Sequence, residues 1–135
     1  MSLEQLREEF LVDGDLGEKR LEDLIRKILP YCVVSRDGFV ELRRADLSGK
    51  ARVKLVLAAR LIASMLDKAV SGDLTTEELS EQTGLRKNQA AARVKECFDE
   101  RFAERSARGS YRARPHKIDA FLDDLVGSAG KKEGT

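Results

Sequence analysis

One histidine, two cysteines and no tryptophan leave little material for the commoner catalytic or metal-binding constellations. Cys32 and Cys97 stand far apart and His116 is the sole imidazole, so no zinc-ligand spacing exists. A reduced, intracellular thiol pair is the plain expectation. The chain also lacks a glycine-rich phosphate loop and a Ser-His-Asp set, so no enzyme, cofactor or metal is expected. Long apolar runs are missing too. The nearest approach, Leu55 to Leu66, is interrupted by Arg60 and Ser64, which argues against a membrane span. The start Met1-Ser2-Leu3-Glu4 has no basic, apolar and small-residue succession of a signal peptide, so a cytoplasmic protein is expected. Neither sign of charge dominates: 25 Lys and Arg face 24 Asp and Glu. Taken whole, that balance argues against a nucleic-acid partner.

What is present fits one small domain with an extension. The 135 residues are too few for a barrel or doubly wound enzyme. Charged residues make up 36% of the chain, above the roughly 25% of ordinary soluble domains.

Hydrophobic periodicity divides the chain. Ser2 and Gln5 have capping-box spacing, and Leu3, Leu6, Phe10 and Leu11 recur on one helical face. Asp13-Gly14-Asp15-Leu16-Gly17 breaks that helix. A second carries Leu21, Leu24, Ile25, Ile28 and Leu29 and stops at Pro30. The period then changes. Tyr31-Cys32-Val33-Val34 and Phe39-Val40-Glu41-Leu42 flank Asp37-Gly38, which predicts a β-hairpin. Asp46 or Ser48 then caps a long helix, about Lys50 to Val70, whose stripe is Val53, Val56, Leu57, Leu61, Met65 and Leu66. Leu55, Ala58, Ala59, Ile62 and Ala69 widen it, so this helix belongs at the centre of the core. These signals give a mainly α fold with small β (α+β). Residues 1–47 form helices plus hairpin as a packing or dimerisation extension, and 48–115 form the central domain. Residues 116–126 form a C-terminal helix and 127–135 a disordered tail.

Residues 74–114 carry the functional information. Thr75 is an N-cap with Glu78 as its capping-box partner, and Gly84 suits a left-handed turn after that short helix. A new helix then runs to about Phe102, with Ala90, Val94, Cys97, Phe98 and Arg101 on one side and the apolar members inward. Phe102 to Ala107 reads as a strand, Arg108-Gly109-Ser110 as a turn, and Tyr111 to Arg114 as a returning strand ended by Pro115.

The run from Thr76 to Cys97 resembles the helix-turn-helix of winged-helix DNA-binding proteins. Leu79, Ser80, Gly84, Leu85, Ala90, Val94 and Cys97 stand where that superfamily keeps apolar or small residues. The resemblance covers about residues 50–115, with the long helix first, Leu74 as the short third strand and 102–114 as the wing. It implies a transcriptional regulator bound to double-stranded DNA, with helix 86–101 in the major groove and the wing on the backbone or minor groove. One position departs from the pattern. Arg86 opens the recognition helix where Ser or Thr is usual, so the cap comes from elsewhere or the helix starts near Asn88.

At 100° per residue, the exposed face of that helix carries Asn88, Gln89, Ala92, Lys95, Glu96 and Asp99. The candidate DNA-binding residues on the helix are Arg86, Lys87, Asn88, Gln89, Ala92 and Arg93. Asn and Gln pair with adenine, Arg and Lys with guanine or phosphate, and Ala92 permits close approach. The candidates on the wing are Arg105, Arg108, Arg112 and Arg114, with Arg101 just before them. Glu96 and Asp99 favour the alternative, a winged-helix adaptor that contacts protein rather than DNA. An RNA-binding role is less supported, since aromatics total only 5%. Ile118, Phe121, Leu122 and Leu125 give the C-terminal helix an apolar face that either packs back on the long helix or forms a dimer seam. The N-terminal region is a second candidate for a homodimer.

The near-zero net charge hides opposed blocks. Residues 1–85 hold 13 basic and 16 acidic side chains; residues 86–117 hold 10 and 4. The last eighteen, 118–135, hold 2 and 4. The basic excess of +6 therefore falls on the candidate helix and wing.

Overall fold

Ser48 starts the helix around which the chain is built. Its hydroxyl accepts the Ala51 N–H at 3.2 Å, and α3 runs Gly49–Leu66. The computed structural model describes residues 2–10, 18–44, 46–107 and 109–133. Before α3 come α1 (Leu3–Phe10), α2 (Glu18–Ile28), β1 (Cys32–Val34) and β2 (Val40–Leu42). After it come β3 (Leu74–Thr75), α4 (Thr76–Thr83), α5 (Lys87–Asp99), β4 (Ala103–Ala107), β5 (Ser110–Ala113) and α6 (Pro115–Glu133). The fold is mainly α with two small antiparallel sheets, in the orders β1-β2 and β3-β5-β4. Leu11, the expected break at Asp13–Gly17, and Arg108 lie outside the described residues.

α3 is buried on every side through its middle, from Leu55 to Ile62. Burying each such Leu or Val contributes on the order of 1.5–3 kcal/mol. Arg60 is the exception in kind. Its guanidinium is buried, and it is held by the Ser71 carbonyl at 2.8 Å, the Asp73 carbonyl at 3.5 Å and Glu78 at 3.7 Å. These partners offset the desolvation that an unpaired buried charge would suffer. The helix ends at Leu66 rather than Val70, because Asp67 turns extended and its carboxylate accepts the Ala69 N–H at 2.9 Å. Leu66, expected on the buried stripe, is consequently 62% exposed.

One apolar core joins both halves of the chain. Leu24, Ile28, Tyr31, Cys32 and Val40 meet the α3 residues, and so do Leu79, Val94, Cys97, Ile118 and Leu122. Residues from α2 onward are therefore part of the same packed unit as 48–115. Gln82 makes the link directional: buried in α4, its Oε1 accepts the Val40 N–H at 2.9 Å. Leu3 and Leu6 of α1 lie outside this core, both exposed.

The hairpin and caps form largely where their residues require. Asp37-Gly38 turns between β1 and β2, with Gly38 at φ +94° over the Arg60 guanidinium. Thr75 and Glu78 close a reciprocal capping box on α4, and Gly84 ends it at φ +77°. α6 buries Ile118 and Leu122, and Lys27 of α2 bridges its Asp119 and Asp123 at 2.7 and 2.9 Å. Residues 127–133, expected as disordered tail, continue α6 instead, since extending a formed helix costs far less than starting one. Gly134 and Thr135 lie outside the described residues.

Candidate nucleic-acid interface

Helices α4 and α5 meet at an elbow made by Gly84 and Leu85. Thr83 and Ser80 fix it: the Leu85 N–H donates to the Thr83 hydroxyl at 3.2 Å, and the Ser80 hydroxyl donates to the Leu85 carbonyl at 2.6 Å. Ala90, Val94 and Cys97 then anchor α5 on the core, which sends the opposite face outward. Burial pushes the Cys97 thiol up to about 11 and that of Cys32 up to about 12, so neither supplies a thiolate near neutrality.

Arg86 occupies the N-cap with extended backbone, so α5 begins at Lys87. A guanidinium has no acceptor, and the first-turn amides recruit other partners. Gln89 Oε1 accepts the Arg86 N–H at 3.3 Å, and Asn88 Oδ1 accepts the Gln89 N–H at 3.0 Å. Both candidate adenine readers thus have their carbonyl oxygens engaged at the helix start. Each amide oxygen keeps a second lone pair and each NH2 both its donors, so the two side chains retain hydrogen-bonding capacity at the exposed helix start. Ala92 and its neighbour Ala91 are exposed and leave a low surface on the helix.

Three of the candidate cations sit beside carboxylates. Lys87 meets Glu77 at 2.9 Å, Arg93 meets Glu96 at 3.3 Å, and Arg112 meets Glu104 at 3.1 Å. Lys87 in turn holds the Glu77 carboxyl below the usual carboxylate range. All three pairs are substantially exposed, and such bridges contribute only about 0–1 kcal/mol. A phosphate can therefore take over the cation at small cost. Arg86, Lys95, Arg101 and Arg105 make no ion pair among the described residues.

Strands β4 and β5 form a hairpin beside α5. Ala103 pairs with Ala113 and Arg105 with Tyr111, with an irregularity between Arg105 and Ala107. β3 joins the far side, Leu74 opposite Tyr111. Arg105 lies over the Phe98 ring at 5.4 Å and the Tyr111 ring at 5.8 Å, while the two rings meet edge to face at 6.4 Å. Both rings attract the guanidinium through their π faces, and the Arg105 side chain stays exposed beside them. Phe98, expected to face the core, is instead 38% exposed and forms this platform. Sequence periodicity did not separate it from Val94 and Cys97, which are buried on adjacent positions.

Arg101 connects helix to hairpin. It sits at φ +66° as the left-handed residue of a Schellman turn: its N–H donates to the Phe98 carbonyl at 3.0 Å, and that of Phe102 to the Cys97 carbonyl at 2.9 Å. Glycine is usual there. Arg114 is half-buried, and its Nε has no hydrogen-bond partner among the described residues. Acidic Glu100 at the end of α5 points back to α3, where Lys50 and Lys54 hold it, the latter at 3.1 Å. Glu96 is partnered by Arg93, and Asp99 is exposed without an ion pair among the described residues.

The described residues thus bring Arg86, Lys87, Asn88, Gln89, Ala92 and Arg93 onto α5, and Arg105, Arg112 and Arg114 onto the adjoining strand pair and its exit. Comparison of the chain with protein-family models, with curated proteins and with solved structures finds no match in any of the three.

Proposed function

We propose that the chain is a sequence-specific DNA-binding protein of winged helix-turn-helix type, acting as a cytoplasmic transcriptional regulator. The single observation that carries this reading is the juxtaposition of the exposed α5 start with the arginine-bearing β4–β5 hairpin. Both lie within residues 86–117, the block that carries the +6 excess. The order α3, β3, α4, α5, β4, β5, with β3 on β5, supports it. In this reading α5 enters the major groove by its N-terminal half, and the hairpin acts as the wing on backbone or minor groove. Arg86 and Lys87 face phosphate or guanine, Asn88 and Gln89 read bases from the helix start, and Ala92 allows close approach. The acidic end of α5 stays outside the groove. No catalytic step belongs to this reading.

A second reading has its own observation. Glu77, Glu96 and Glu104 already neutralise part of the basic face, as suits an adaptor that contacts protein. Selection from a random duplex library separates the two. The DNA reading expects an enriched motif, weakened by Asn88→Ala or Gln89→Ala at particular base positions by about 1–3 kcal/mol. Failure to enrich any duplex leaves the adaptor reading standing.

A further inference from the structure

The chain holds two exposed apolar surfaces. The first is α1, whose Leu3 is 82% and Leu6 46% exposed. Leu3, Leu6 and Phe10 follow the i, i+3, i+7 spacing of a helix that lies in a groove. The second is a groove of about 310 Å³ between α2, β1 and the end of α3. Ile25, Leu29, Val33, Ala63 and Leu66 line it, and Arg36 and Asp67 stand among them. Neither Leu3 nor Leu6 lines that groove, and Leu29 and Leu66 remain exposed beside it.

We propose that α1 of a second copy of this chain docks in the groove, and that two copies exchange these helices reciprocally. The exchange is a two-fold, self-complementary arrangement that covers both helices and both grooves at once. One charged contact suits the same occupant, Arg36 at the groove against the acidic α1. α1 carries Glu4, Glu8 and Glu9 against Arg7, whereas Arg36 makes no ion pair among the described residues. A monomer in which helix and groove both stay open leaves contiguous apolar surface in water, which is the mark of an association site. The proposal is independent of DNA binding.

The test uses the full chain. Light scattering should give twice the 15.1 kDa chain mass, and Leu6→Glu and Leu66→Glu should each reduce it to one. Both residues are exposed, so circular dichroism should show the fold unchanged. For orientation, copies bearing Leu6→Cys are mixed with copies bearing Leu66→Cys and oxidised. A disulfide-linked dimer on a non-reducing gel supports exchange. A monomeric wild type, a dimer indifferent to both glutamates, or a cross-link formed only within a doubly substituted chain overturns it.

Discussion

Arg105 lies 5.4 Å from the centre of the Phe98 ring, and this contact joins β4 to the C-terminal end of α5. The Phe98 and Tyr111 rings both lie within 6 Å of the guanidinium, so its charge is positioned before any partner arrives. Preorganisation of that kind spares the entropy of immobilising a long side chain on binding. Among the wing candidates, Arg105 is thus the one already aimed, whereas Arg112 must first leave Glu104.

Arg105→Ala is therefore expected to weaken duplex binding on every sequence alike and to lower the salt slope by about 1. The stability cost should stay near 0.5–1 kcal/mol, the usual value of an exposed cation–π contact. Arg105→Lys should keep the charge but restore only part of the affinity. Paired salt titrations and thermal melts check this. Affinity unchanged in the Ala variant removes Arg105 from the interface.

Arg101 should show function and stability in opposition. A non-glycine residue at φ +66° costs on the order of 1–2 kcal/mol. Arg101→Gly is expected to stabilise the fold by about 1 kcal/mol in urea unfolding while weakening DNA binding. Stabilisation without any loss of binding would mean that the arginine contributes nothing there.

Much of this fold was legible in the chain because its signals are local. The Thr75–Glu78 box, the Gly84 turn, the Asp37-Gly38 hairpin and the buried α3 stripe each follow from neighbouring residues. Tertiary contacts escaped. Nothing near Arg60 in sequence announces that a buried arginine inside an apolar helix will be received by carbonyls of 71 and 73. Phe98 reads as core because its spacing matches Val94, yet α5 ends one residue later and the hairpin leaves the ring partly open. The cations at the candidate site were legible, but their carboxylate partners on α4 and β4 were not. Local chemistry also explains the helix start: an arginine at the cap hands the capping work to Asn88 and Gln89.

The elbow and the hairpin contact give two stability tests. Gly84→Ala meets no atom within 4 Å, so its cost is backbone strain alone, about 1–2 kcal/mol. Gln82→Ala strands the buried Val40 N–H and should cost about 1–3 kcal/mol. Denaturant unfolding measures both. A neutral Gln82→Ala would show that the β1–β2 hairpin does not depend on α4.

Acid should loosen the α3–α5 junction. Lys50, then Lys54, hold the Glu100 carboxyl below the usual carboxylate range. A carboxyl lowered on folding stabilises the fold above its unfolded value, about 4.3, and loses that contribution as pH falls through the folded value. Unfolding curves from pH 6 downward should therefore fall less steeply for Glu100→Gln than for the wild type. Identical acid limbs would remove Glu100 from the account.

Binding of a fluorescent random duplex, followed by anisotropy across salt concentration, tests the central claim most directly. The account predicts binding at low salt that weakens linearly in log–log form, each neutralised phosphate adding about −0.9 to the slope. It also predicts a shallower slope for Arg105→Ala. No binding by the wild type at the lowest salt, or binding indifferent to salt, would contradict it.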